Sequence, residues 1–146
     1  MPANLFCRMV QVGAIALMLH GPMLAAEPVA GVGIFDTGTS APLSSKAFAG
    51  KAGWVALHEN TIAHTFKGDT VLTNDRIAVV LRRGGPGAEL YATATPQPVL
   101  RAVLAPASDV AGVRLASVAI VENSGAKVAV DASFNMPGGK DATVRF

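Results

Sequence analysis

The sequence predicts an all-β fold, a mainly antiparallel β-sandwich or open barrel of about seven to eight short strands, preceded by a signal peptide. Two observations carry this. From Trp54 onward the chain is built of short runs rich in Val, Ile, Leu and Thr, broken by turn residues about every eight to twelve positions. No segment keeps an apolar period of 3.6 over the roughly ten residues that a helix needs.

In order, residues 54–58 and 62–67 read as strands flanking Glu59-Asn60. Gly68-Asp69 turns the chain into a strand over 70–73, and Asn74-Asp75 turns it again. Residues 76–83 follow, and their centre, Ile77-Ala78-Val79-Val80-Leu81, is apolar on both faces, which predicts a central strand. Gly84-Gly85-Pro86-Gly87 forms a loop, because Pro lacks a donor and the glycines permit positive φ. Residues 89–94 complete a hairpin.

Strands over 99–104 and 113–122 come next, then a tight turn at Asn123-Ser124-Gly125. Residues 127–135 alternate: Val128, Val130, Ala132 and Phe134 face one way, Asp131, Ser133 and Asn135 the other. That pattern predicts a half-buried strand with one wet face. Ala142, Val144 and Phe146 begin a last alternating strand. A stop there fits either a C-terminal strand paired inside a sheet or a chain that has lost its continuation.

The N-terminus has a different layout. Arg8 precedes an apolar run over 12–19, then come His20-Gly21-Pro22 and Met23-Leu24-Ala25-Ala26. Basic region, short apolar region, helix breaker and small residues at the cut define a secretory signal peptide, here residues 1–26, with cleavage between Ala26 and Ala30. The apolar run is far below the roughly 20 residues that span a bilayer. The expected product is exported, periplasmic or extracellular, with no membrane span after cleavage. Residues 27–53, rich in Gly, Ala, Ser, Thr and Pro, read as an irregular lead-in with a short strand or helical turn at 44–51. Residues 54–146 read as the sandwich domain.

The chain has 146 residues, one cysteine and a formal net charge of +2. Cys7 lies in the signal segment, so the exported domain has to fold without a disulfide. No basic cluster exceeds Arg82-Arg83, which argues against nucleic acid as a partner.

Three groups of residues invite a chemical reading. Phe35-Asp36-Thr37-Gly38-Thr39-Ser40 resembles the catalytic loop of retropepsin-like aspartic proteases, and Leu43 to Phe48 resembles the short helix that follows it. The resemblance covers roughly 20 residues. It implies that Asp36 supplies a catalytic carboxylate, that Thr37 braces the loop and that Gly38 allows two loops to approach, with the second Asp coming from a homodimer partner. The same residues also read as turn chemistry, with Asp36 and Thr37 capping a bend that Gly38 permits.

His58-Glu59-Asn60-Thr61-Ile62-Ala63-His64 resembles a zinc-protease motif with the second histidine two residues late. His58 and His64 are the metal candidates. On a continuous strand they lie about 20 Å apart, and a hairpin about Asn60 is needed to bring them together. Trp54 and Tyr91 are the candidates for contact with a ligand, Trp54 also reading as a core or sheet-edge residue. No cofactor is expected.

From Phe66, the run F-K-G-D-T-V-L-T-N-D-R-I-A-V-V-L and then G-G-P-G-A-E-L-Y resembles the opening hairpins of the galactose-mutarotase-like β-supersandwich domains found in secreted bacterial proteins. The resemblance is one of pattern, running from about Trp54 to Phe146. It implies a leading fragment or a reduced relative of a domain that accompanies secreted carbohydrate-active proteins. That family's catalytic histidines and carboxylates have no matching positions, so none carries over. The expected function is an exported non-catalytic module at the cell envelope, with a polysaccharide or another envelope protein as partner. The alternative is a homodimeric aspartic endopeptidase using Asp36.

Overall fold

The computed structural model describes residues 31–41, 43–94, 97–108 and 111–146. The segment read as a signal peptide, with Cys7, Arg8 and the expected cleavage positions, lies outside the described residues. Nine strands and one short helix are present among the described residues. They are β1 (Gly33–Asp36), α1 (Ser45–Gly50), β2 (Val55–Ala56), β3 (Thr70–Thr73), β4 (Ile77–Leu81), β5 (Ala88–Ala92), β6 (Val99–Leu104), β7 (Arg114–Asn123), β8 (Val128–Met136) and β9 (Lys140–Arg145).

The strands form two sheets, one of six strands in the order β2-β1-β3-β4-β5-β6 and one of three in the order β7-β8-β9. Every pairing is antiparallel. The all-β, mainly antiparallel sandwich therefore stands, with more strands than expected. Phe134, Val130 and Ala132 of β8 meet Ile34, Leu72, Leu81 and Ala88 of the larger sheet, with Leu115 and Ile120 of β7 closing the cluster. Phe134 is fully buried, which is worth about 2 to 3 kcal/mol by transfer. The other face of the larger sheet carries a second cluster, Val71, Ala78 and Val80, packed by Phe35, Phe48, Trp54 and Tyr91. β4 thus buries side chains on both faces, Leu81 inward and Ala78 and Val80 outward, as its continuous apolar run predicts.

Three expectations are corrected. The strand expected over 54–58 shrinks to Val55–Ala56, and the one expected over 62–67 is irregular chain. At its ends and beside it, backbone groups bond to side chains instead of a ladder. Asp36 takes the Lys67 and Gly68 N–H groups, and Asn123 Nδ2 donates to the carbonyls of His58 and Thr61 at 2.8 and 3.3 Å. Nor is the 27–53 stretch wholly irregular. β1 lies inside the larger sheet between β2 and β3, with Ile34 opposite Leu72 and Asp36 opposite Thr70. The short helix does form over the stretch anticipated: Ser44 Oγ accepts from the Ala47 N–H, and Lys51 ends it in the left-handed region.

Candidate functional site

The Asp36-Thr37-Gly38 triplet sits where β1 ends, and its side chains are turned into the protein. Asp36 is 2% exposed. Its Oδ1 accepts from the Gly38 N–H at 2.8 Å and the Gly68 N–H at 2.9 Å. Its Oδ2 accepts from the Lys67 N–H at 2.8 Å and lies 3.0 Å from His64 Nε2. Burial pushes the carboxyl pKa up, but the N–H groups of Lys67, Gly38 and Gly68, followed by the His64 imidazole, outweigh it and hold the value at about 2. An ionised carboxylate only accepts, so His64 Nε2 carries the proton in this pair. All four acceptor positions of Asp36 are then filled, and none is left for a water or a second carboxylate.

Thr37 extends the same clamp. Its hydroxyl donates to the Thr39 carbonyl at 2.6 Å and accepts from the Asp69 N–H at 2.8 Å, while its own N–H donates to the Asp69 carbonyl at 3.0 Å. Gly38 has φ +71°, and a Cβ at Gly68 would collide with Thr37 Oγ1 and the Thr39 backbone. Gly68 is what lets the two segments lie this close, and Gly38 is what lets the chain turn after Asp36 and Thr37. The triplet is thereby tied to residues 64–69 through five hydrogen bonds between two segments that are about 30 residues apart in sequence.

Asp69, 1% exposed, carries the tie onward. It accepts from the Arg83 N–H at 2.9 Å and from Arg82 Nη1 at 3.3 Å. Arg82 Nε donates to both Glu89 oxygens at 2.9 Å, and the Tyr91 hydroxyl donates to Glu89 Oε2 at 2.8 Å. Burial, and after it the hydrogen bond to Glu89, push the Tyr91 phenol up. In the sequence, Gly68-Asp69 reads only as a turn and Arg82 and Glu89 only as strand residues. No spacing rule links them, because the contacts run across three strands.

The two histidines have different surroundings. His64 pairs with Asp36 and meets the Phe66 ring edge-on at 4.8 Å between centroids. His58 is exposed, and its carbonyl is held by Asn123 and by the Thr61 N–H across the Glu59-Asn60 turn. Among the described residues no group of three His, Cys, Asp or Glu side chains is placed to hold a metal ion.

Trp54 and Tyr91 are brought into one aromatic cluster, with Phe48 between them. Phe48 stands edge-on to Trp54 at 5.7 Å and tilted to Tyr91 at 5.1 Å, and Phe35 meets Trp54 at 6.0 Å. Trp54 and Phe48 line a groove of about 270 Å³ beside α1, whereas Tyr91 lies outside that lining. A wider cleft of about 380 Å³ is lined by His64, Phe66, Thr70, Leu81, Arg83 and Leu115.

Comparison with protein-family models, curated proteins and solved structures finds no match to this chain.

Proposed function

We propose that this chain is an exported, non-catalytic β-sandwich module that binds a carbohydrate-bearing or protein partner at the cell envelope. The observation that carries the reading is the state of Asp36. A catalytic dyad needs a carboxylate that can approach a second one, share its proton and activate a water. Here the carboxylate is buried, ionised and fully occupied by four donors. That chemistry suits a structural tie between β1 and residues 64–69.

Export is supported by the N-terminal layout of Arg8, an apolar run and Ala25-Ala26. No helix among the described residues is long and apolar enough to cross a membrane. The aspartic-protease alternative rests on the Asp36-Thr37-Gly38 triplet. One assay separates the two: the wild-type chain is incubated with a peptide library at acid pH, with and without pepstatin. The module reading expects no hydrolysis. Pepstatin-sensitive cleavage that disappears in Asp36→Asn would overturn it.

A further inference from the structure

On the face of the larger sheet turned away from the second sheet, α1 lies over Val71, Ala78 and Val80 through Phe48 and Trp54. Between α1 and the turn joining β3 to β4 the surface sinks into the groove of about 270 Å³. That is near the small end of the ~300–1,000 Å³ range of ligand sites, room for a single ring. Trp54 and Phe48 give one side an aromatic wall, and Asn74, Asp75, Ser45 and Lys51 supply polar groups around it. Asn74 Oδ1 accepts from the N–H groups of Arg76 and Ile77 at 2.9 and 2.8 Å, which fixes the orientation of its amide.

Thr93 adds an independent observation. It lines the groove, and its Oγ1 is buried with no hydrogen-bond partner. A buried hydroxyl without a partner costs about 1 to 3 kcal/mol; as placed it is closed off from the groove, and a polar occupant would satisfy it once the side chain turns. Rotation about χ1 exchanges the hydroxyl and the methyl group at the wall. The charges present, Lys51 and Asp75, are one of each sign, and the Lys51 ammonium sits over the Phe35 ring at 4.4 Å.

An aromatic wall, one amide of fixed orientation, neighbouring hydroxyls and no net charge match a ring that has C–H groups on its face and hydroxyls at its edge. We infer that this groove is a binding site for a neutral sugar ring, presented by a polysaccharide. The site deepens the binding-module reading and rests on it. Tyr91, outside the groove lining and bonded to Glu89, packs beneath Phe48 and supports the wall.

Trp54 is the sole tryptophan of the chain, so its emission reports on this groove. The full chain is titrated with neutral dextran, galactomannan and xylan, and separately with anionic polygalacturonate, reading Trp54 emission and retardation in polysaccharide gels. A saturable emission change with at least one neutral glycan is expected, together with retardation. Phe48→Ala should weaken binding about tenfold. Thr93→Val should weaken it severalfold while leaving a protein that unfolds at higher denaturant, which separates lost contact from lost fold.

Absence of both signals with all three neutral glycans overturns the inference, and so does binding confined to the anionic one. Retardation that leaves Trp54 emission unchanged and survives Phe48→Ala places the site elsewhere and overturns the groove alone, leaving the module reading in place. Pepstatin-sensitive hydrolysis overturns the module reading by itself.

Discussion

Asp36→Asn removes one negative charge at nearly constant shape, and the structure allows its cost to be worked through. With the amide oxygen kept toward Gly38 and Gly68, those two N–H groups still find an acceptor. The new NH₂ then faces the Lys67 N–H and His64 Nε2. His64 adapts by moving its proton to the other ring nitrogen and accepting. The Lys67 N–H cannot adapt and is left against another donor. The opposite amide orientation is worse, because it turns the NH₂ toward two backbone donors. One charge-assisted bond is lost, and the remaining bonds become neutral ones of roughly half the strength. The expected destabilisation is about 2 to 3 kcal/mol, read as a lower midpoint in urea unfolding at an unchanged slope. A loss under about 1 kcal/mol would refute the structural role. A catalytic Asp with free lone pairs predicts that small loss, or a gain.

Three further substitutions test neighbouring steps. Gly68→Ala places a Cβ against Thr37 Oγ1 and the Thr39 backbone, and should cost about 2 kcal/mol or more, measured in the same urea series. Thr93→Val removes the unpartnered hydroxyl without changing shape and should stabilise by about 1 kcal/mol, raising the thermal midpoint by a few degrees. Asn123→Ala removes the side chain that caps the His58 and Thr61 carbonyls. It should cost about 2 kcal/mol and speed proteolysis within residues 58–66.

The β-rich part of the fold was legible because its strands obey simple periodicities. Lys127 to Asn135 alternates, and β8 lies there with Val130, Ala132 and Phe134 buried. The run Ile77–Leu81 is apolar on both faces, and β4 is central. β1 was hidden because four residues, Gly33–Asp36, are too few to show a period, and Gly and Thr neighbours resemble a loop. Residues 62–67 misled for the opposite reason. Their composition is strand-like, but the Asp36 carboxylate takes the Lys67 N–H at one end, and Asn123 holds the Thr61 carbonyl just before the other. The pairing of Asp36 with His64 joins residues 28 apart in sequence, and no local pattern encodes it. The Trp54 groove was half legible: an aromatic could be named, but Thr93, Asn74 and Lys51 reach it only through the meeting of α1 with the β3–β4 turn.

The most direct measurement is the pKa of Asp36 itself, followed by carbonyl-carbon NMR of the folded chain as pH is lowered. Because the folded value lies below that of an unfolded Asp, near 3.9, its contribution to stability is complete above that value and is lost as pH falls through the folded one. The account predicts a carboxyl that stays ionised until about 2, a shift of just under two units that corresponds to about 2 to 3 kcal/mol. A midpoint near or above the ordinary Asp value would contradict it, since it would mean a carboxyl not held by the Lys67, Gly38 and Gly68 N–H groups and free to exchange a proton with a substrate.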